Sequence, residues 1–127
     1  VHVISIGGTS FKRYLELAGL LNIKVAAIRD NDGNYEENCV ENYAGLVTEH
    51  ARLFADADNQ RSTFEIGLYA DNTAICDELF APGRRTLTPQ QYMLANKAEA
   101  AFELLDKKAG ELVVPGYIAE AIAWLRE

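Results

Sequence analysis

The stretch of residues 25–32, read V-A-A-I-R-D-N-D, constrains the fold of this chain more than any other. A short apolar run that ends abruptly in turn residues is typical of a strand buried on both faces, as in a parallel sheet. Asp30 and Asp32 would then lie at the carboxyl end of that strand. Because open α/β sheets bind ligands beyond the carboxyl ends of their strands, we expect the chemistry of the protein there.

The two aspartates have two competing interpretations. Carboxylates one residue apart repel each other unless a cation lies between them, and Mg²⁺ or Mn²⁺ is the natural candidate because hard cations take oxygen ligands. Asp30 and Asp32 are therefore candidate metal ligands. The alternative is that D-N-D-G-N is only a polar turn, since Asp, Asn and Gly are the usual turn formers. The residues alone leave both interpretations open.

Strands and helices alternate through the first half of the chain. We predict a strand over residues 1–6, a helix over residues 11–21, a second strand over residues 24–32 and a third over residues 51–55, with a helical stretch after Glu36 and Glu37. The order β-α-β-α-β is typical of α/β architecture. A right-handed crossover and parallel pairing follow from it.

A glycine-rich turn, Gly7-Gly8-Thr9-Ser10, joins the first predicted strand to the first helix. Such a turn at a helix N-terminus can hold a phosphate, so Gly8 is a secondary candidate for a site residue. The sequence G-G-T-S lacks both the G-x-G-x-x-G pattern and the G-K-[ST] ending of phosphate-binding loops. A plain tight turn is the alternative, because glycine is the default residue of turns.

The second half of the chain is predicted to be helical. Asp71 can cap a short helix, and T-P-Q-Q from Thr88 is a strong helix start, with Thr at the cap, Pro at the first helical position and Gln three residues after the cap. We predict that this helix continues to about Lys108. The dipeptide P-G at Pro115 opens a last helix.

Lys97 interrupts the apolar stripe of the predicted long helix. At about 100° per residue, it lies within about 60° of Met93, Leu94, Ala101 and Leu104. Its ammonium must either reach the edge of the helix, as lysines commonly do, or point into a site that requires a positive charge. Both interpretations remain open at this point.

The composition is that of an ordinary soluble protein of one domain. The 127 residues are 49% hydrophobic and 24% charged, and no apolar run approaches the roughly 18 residues of a membrane span. Cys39 and Cys76 lie in predicted helices without metal-ligand spacing, so we expect reduced, packed thiols and a cytoplasmic protein. The net charge of −7 argues against binding nucleic acid by bulk electrostatics. It does not argue against binding the phosphates of nucleic acid through a bound metal.

Five segments, in order along nearly the whole chain, carry a resemblance to a known family. They are V-I-S-I-G-G with the helix F-K-R-Y-L, A-I-R-D-N-D-G at a strand end, T-F-E after a third strand, K-A-E-A-A in a late helix, and V-P-G-Y-I-A-E-A-I-A-W-L near the end. The D-x-D alone is a weak signal, whereas the ordered set is fairly specific. It resembles the C-terminal Toprim domain of OLD-family (overcoming lysogenization defect) ATP-dependent endonucleases.

The resemblance implies an α/β fold, with a Toprim-like (Rossmann-like) open, mostly parallel sheet flanked by helices and additional C-terminal helices. It implies a metal-dependent DNA endonuclease or nickase that uses Mg²⁺ or Mn²⁺, with two ions. Asp30, Asp32 and Glu65 would be metal ligands, and Lys97 together with Asp30 would be catalytic, the lysine stabilising charge near the scissile phosphate. Thr63 would bind or orient at the same site, although capping a helix is its simpler role.

The resemblance also implies parts that this chain does not carry. Toprim nucleases have an acidic E-G-x-x-E type motif on a strand and helix before what is here the first predicted strand, and the family joins the nuclease to an ABC-type ATPase. We therefore expect residues 1–127 to be a single Toprim-like domain that is a fragment, with weak metal binding and little activity alone. The expected partners are DNA and a second copy, through the ATPase domain; ATP would act only through that domain. No membrane partner is expected.

Three rival functions remain. A phosphatase of the haloacid dehalogenase type also places D-x-D-G at a strand end. In that class the motif follows the first strand and a Thr follows the Gly, whereas here another predicted βα unit comes first and Asn34 follows the Gly. A calcium loop would use Asp30, Asp32, Asn34 and Glu41, but Tyr35 occupies the position that requires glycine. A non-catalytic module, which binds a metal or docks a protein through an acidic sheet edge, is the third.

Overall fold

A computed structural model describes residues 1–7, 11–81 and 86–127. The chain forms two compact units: the first comprises Val1–Ser62 and Gly116–Glu127, and the second comprises Thr63–Pro115. Gly8, Pro82, Gly83 and the Arg84-Arg85 pair lie outside the described residues, as does most of the predicted glycine-rich turn. In the described residues, no helix has the length and apolar character needed to cross a membrane.

The first unit is built on two parallel strands. Helix α1 (Phe11–Leu21) precedes β1 (Val25–Ile28), and β1 pairs in parallel with β2 (Ala51–Phe54), so that Val25 lies opposite Ala51 and Ile28 opposite Phe54. The bounds of α1 are those predicted. β2 begins at Ala51 as predicted, and β1 begins at Val25, one residue after its predicted start. The architecture is mixed α/β, as the sequence predicts.

The two faces of this sheet are covered by different helices. Leu15 and Ala18 of α1 pack with Ala27 and Ala51 in one buried cluster, which also contains Tyr43. Side chains alternate between the faces of a strand, and Phe54 on the other face contacts the Trp124 ring, with the centroids 5.8 Å apart. Trp124 belongs to α6 (Gly116–Leu125). The sheet is therefore a layer between α1 and α6.

A short irregular helix connects β1 to β2 along the chain. It consists of one π-helical turn, Glu36–Val40, followed by one 3₁₀ turn, Glu41–Tyr43. This segment corresponds to the helical stretch expected after Glu36 and Glu37. It buries Cys39 and Tyr43, and Cys39 and Cys76 are both free, buried thiols. The expectation of packed thiols is confirmed.

The second unit is helical. Its elements are α2 (Phe64–Asp71), α3 (Thr73–Leu79), α4 (Pro89–Ala95), α5 (Lys97–Lys108) and a final 3₁₀ turn (Ala109–Glu111). Its core is one cluster of buried side chains: Leu68, Cys76, Phe80, Met93, Ala100 and Leu104. The predicted start at Thr88 is confirmed, since Thr88 and Gln91 form a reciprocal capping box with Pro89 at the first helical position.

The structure corrects four expectations about the elements. Residues 1–7 form no strand and are mostly exposed, because an extended segment needs a neighbouring strand to satisfy its backbone groups and none pairs with it. β1 ends at Ile28, four residues before Asp32, and Ile28 is exposed rather than buried. Each strand of a two-stranded sheet is an edge strand, where side chains reach solvent.

The other two corrections concern helix ends at asparagines. Asn72, rather than Asp71, separates α2 from α3, because its buried amide bonds to Leu68 O and to both backbone polar groups of Val113. The predicted long helix is broken at Asn96, whose backbone is not helical and whose side chain donates to Tyr92 O at 3.1 Å. Asparagine side chains compete in this way with the helical ladder.

Candidate functional site

The D-x-D motif forms a tight turn directly after β1. Asp32 has a left-handed backbone, with φ of 53°, and Gly33 follows with φ of 89°. The side-chain oxygen of Asn31 accepts a hydrogen bond from the backbone N–H of Gly33 at 2.7 Å. This is an Asx turn, so the turn interpretation of D-N-D-G is correct as a description of the backbone.

Asn31 fixes this turn, although the sequence analysis gave it no role. It is only 1% exposed, and its amide nitrogen donates to the carbonyl oxygens of Asp56, Asp58 and Arg61 at 2.8, 2.9 and 3.3 Å. These carbonyls belong to the loop after β2. The turn is held further by a bond from Asp32 N–H to Ser62 O at 3.1 Å. Asn31 thus ties together the loops that leave the carboxyl ends of both strands.

Two more aspartates, Asp56 and Asp58, follow β2. Neither was selected from the sequence as a candidate site residue. Asp30 and Asp56 each come two residues after the last paired residue of their strand, and Asp32 and Asp58 come four residues after it. Asp56 accepts hydrogen bonds from Asp58 N–H at 2.9 Å and Arg61 Nε at 2.6 Å. Asp58 accepts one from Gln60 N–H. Their contacts are those of residues that shape the loop. The repeated D-x-D in D-N-D and D-A-D was the signal that could have identified them.

An arginine engages one of the predicted metal ligands. Arg29 Nη2 lies 3.0 Å from Asp32 Oδ2 in an ion pair, with the Asp32 side chain 60% exposed. Arg29 Nε donates to Asp30 O at 2.8 Å. Asp30 itself is half-buried. The acidic turn therefore carries its own positive charge.

The buried thiol of Cys39 lies beside the same turn, with Sγ 3.9 Å from Asp30 O. Burial raises the pKa of Cys39, and the negative charges of Asp32 and Asp30 raise it further, whereas Arg29 opposes the shift. The thiol is therefore protonated at neutral pH. A protonated thiol is a poor metal ligand, so the carboxylates of Asp30 and Asp32 are the better donors at this turn.

Glu65 and Lys97, the other predicted site residues, are brought together in the second unit. Glu65 lies in the first turn of α2, and Lys97 begins α5. Lys97 Nζ lies 3.6 Å from Glu65 Oε2. This oxygen is buried and receives no hydrogen bond. Thr63 is the N-cap of α2 and accepts a bond from Ile66 N–H at 3.4 Å, which matches its simpler predicted role.

The predicted setting of Lys97 is wrong. The break at Asn96 removes the continuous stripe on which the argument depended, and the Lys97 side chain is 57% exposed. Its stem is therefore not buried in the core. The lysine sits at a helix start with its ammonium beside a carboxylate that is only 15% exposed.

The donors at the D-x-D turn fit a magnesium-type cation by their chemistry. Mg²⁺ usually keeps several waters and is held in proteins by one or two carboxylates, with substrate phosphates supplying further oxygens. Asp30 and Asp32 offer carboxylates of this kind. Within the part of the chain that the structure describes, no three His, Cys, Asp or Glu side chains are grouped closely enough to hold a metal ion. Among the described residues, the turn therefore offers two carboxylates and not a closed set of metal ligands.

Comparison with known proteins places the D-x-D turn inside a matched segment. No curated protein and no solved structure gives a significant match. A family model described as "Overcoming lysogenization defect protein-like, TOPRIM domain" matches residues 1–32, about a quarter of the 127. The matched segment contains α1, β1 and both aspartates, whereas Glu65 and Lys97 lie beyond it. Over residues 1–32, the chain is thus similar to the TOPRIM domain of OLD-like proteins.

Proposed function

We propose that this chain is the nuclease domain of an OLD-like protein, which hydrolyses phosphodiester bonds of DNA with Mg²⁺ or Mn²⁺. The family match supports a metal-dependent function that involves nucleic acid. The single observation that carries the proposal is the D-x-D turn at the carboxyl end of β1, within the matched segment. This is the end of a parallel sheet at which ligands bind in α/β proteins.

The proposed roles follow from what each side chain offers. Asp30 and Asp32 would hold the cation with carboxylate oxygens. A bound divalent cation would supply an activated water and stabilise charge on the leaving oxygen. Asn31 holds the backbone of both aspartates in place through its buried bonds. This arrangement limits the reorganisation that the turn would need when it binds a cation.

Glu65 and Lys97 would act as a second acid and a phosphate-binding cation. Glu65 Oε2 is a buried acceptor whose hydrogen-bonding capacity is unused, which suits a carboxylate that ligates a cation. The exposed Lys97 ammonium is accessible to a phosphate oxygen. We also propose that the protein is cytoplasmic and that it forms a homodimer. ATP would act through a separate domain.

The test is cleavage of supercoiled plasmid DNA by the intact protein that contains this chain, with Mn²⁺ or Mg²⁺ present. We expect Asp30→Asn, Asp32→Asn and Lys97→Ala each to reduce nicking by about a hundredfold or more, as removal of charge-stabilising groups does elsewhere. The exposed Asp106 of α5 offers a matched control, and Asp106→Asn should cleave at the wild-type rate. Undiminished cleavage by both variants of the D-x-D would contradict the proposal.

A second candidate function is a non-catalytic acidic module. It is favoured by the ion pair that already engages Asp32, and by the lack of a three-donor group among the described residues. If the module docks a protein and binds no metal, EDTA should leave its interactions unchanged. The nuclease proposal predicts instead that EDTA abolishes nicking and that added Mn²⁺ restores it.

A further inference from the structure

Arg29 is held rigidly beside the acidic turn. Its side chain is only 18% exposed, Nε donates to Asp30 O at 2.8 Å, and Nη1 donates to the Tyr43 hydroxyl at 3.3 Å. The guanidinium carbon also lies 5.9 Å from the centroid of the Tyr43 ring, within range for a cation–π contact. Tyr43 is itself buried. These contacts fix the guanidinium without any help from Asp32.

The contact with Asp32 is different in character. Asp32 Oδ2 is 3.0 Å from Arg29 Nη2, but the Asp32 side chain is 60% exposed and has no second hydrogen bond among those described. The carboxylate is therefore the mobile member of the pair and the guanidinium the fixed one. Burial alone lowers the pKa of Arg29, but the hydrogen bond and charge of Tyr43, with Cys39 and Asp32, raise it overall, so the charge persists at any ordinary pH.

A fixed positive charge at this position opposes a divalent cation in two ways. The carboxylate oxygen that accepts a hydrogen bond from Arg29 must give it up, at least in part, to coordinate a metal. The guanidinium also repels the metal charge, with an energy that falls as the inverse of the distance and rises as the local dielectric falls. Both effects act on Asp32, one of the two proposed ligands.

We propose that Arg29 is a built-in counter-charge that competes with a divalent cation for the Asp32 carboxylate and so lowers the metal affinity of the D-x-D turn. The inference rests on the proposed function, because it concerns the same turn. Arg29 is then a positioning residue that acts through Asp32. Free of metal, the pair relieves the repulsion between Asp32 and Asp30; with metal, Arg29 stays on Asp30 O and Tyr43.

The chain contains a matched control for this pair. Arg13 and Glu16 form an ion pair of the same sequence spacing, with Nη1 and Oε2 2.9 Å apart, on the outside of α1. Arg13 is 86% exposed and lies away from the acidic turn in sequence. Removal of Arg13 changes the net charge of the protein as much as removal of Arg29 does.

The experiment is a Mn²⁺ titration of the 127-residue chain, followed by paramagnetic broadening of backbone amide signals in NMR spectra. We expect Arg29→Gln to bind Mn²⁺ about tenfold more tightly at the D-x-D turn than wild type, from the loss of one nearby unit charge. Arg29→Lys, which keeps the charge, should stay within about threefold of wild type. Arg13→Gln should match wild type.

A second measurement uses wild-type protein and needs no folded variant. On titration with Mg²⁺, the Nη–H signals of Arg29, which include the donor to Asp32, should shift together with the Asp32 amide, and those of Arg13 should not. Equal Mn²⁺ affinities of Arg29→Gln and wild type, or a static Arg29 signal while the Asp32 amide shifts, would overturn this inference alone. No metal binding at the turn in any of these proteins would contradict the proposed function as well.

Discussion

The buried side chain of Asn31 should be the most sensitive single position in the first unit. Asn31→Ala removes three bonds of 2.7–2.9 Å, to Gly33 N–H, Asp56 O and Asp58 O, and a longer one to Arg61 O. A net contribution of about 1 kcal/mol for each short bond gives a loss of about 3 kcal/mol. This is a large part of the 5–15 kcal/mol that a typical domain has.

The assay is urea unfolding followed by tryptophan fluorescence. Trp124 is the single tryptophan of the chain and lies in the same unit as Asn31, so its signal reports on that unit. With a slope of about 2 kcal/mol/M, the unfolding midpoint should fall by about 1.5 M. The exposed Asn59 makes one described side-chain bond, from Tyr35 N–H at 2.8 Å, and Asn59→Ala should cost about 1 kcal/mol or less. Equal midpoints for the two variants would refute the reasoning.

Three further predictions concern the rest of the molecule. Burial raises the pKa of Cys76 to about 11, and burial also raises the pKa of Cys39. Ellman's reagent at pH 8 should therefore react with native protein far more slowly than with urea-unfolded protein. Comparable rates would contradict the burial of the two thiols. Thr88→Ala should cost about 1 kcal/mol through loss of the capping box, seen as a lower midpoint in thermal circular dichroism, whereas Thr88→Ser should retain it. A double-mutant cycle of Glu65→Gln and Lys97→Met should give a coupling below about 1 kcal/mol, because Lys97 is largely exposed; a coupling of about 2 kcal/mol or more would mean that the pair is a structural tie.

Local signals predicted most of the elements. The apolar spacing of α1, the β-rich runs of β1 and β2, and the capping box at Thr88 each act within a few residues. These patterns depend on residues that are close in sequence, so they can be recognised without knowledge of the tertiary structure. The order of strands and helices then gave the α/β class and the parallel pairing.

Two of the features that the sequence did not reveal depend on asparagines whose hydrogen-bond partners lie far away in the chain. Asn31 bonds to carbonyls 25 to 30 residues away, and Asn72 bonds to Val113, 41 residues away. Neither partner can be read from local spacing. At Asn96 the competing bond is local, to Tyr92 O, but the apolar pattern on both sides of Asn96 predicted one continuous helix.

Only part of the candidate site was predicted, because some of its contacts join residues that are distant in sequence. The strand that precedes Asp30 and Asp32 is a local feature and was predicted, although it ends at Ile28 rather than at Asp32. Their electrostatic setting depends on Arg29 and Tyr43, which meet only because the irregular helix returns to the turn. The long-helix argument for Lys97 failed at Asn96. The ion pair of Lys97 with Glu65 was not predicted, although the family resemblance had assigned both residues to the site. The roles of all four residues stay predictions.

The most direct test of the central claim is crystallographic. Crystals of the chain soaked in Mn²⁺ and measured for anomalous scattering should show a peak about 2.1 Å from a carboxylate oxygen of Asp30 or Asp32, the distance typical of small divalent cations. The same soak of an Asp30→Asn, Asp32→Asn double variant should lose that peak. Anomalous peaks confined to other parts of the surface, with Arg29 still paired to Asp32, would contradict the account.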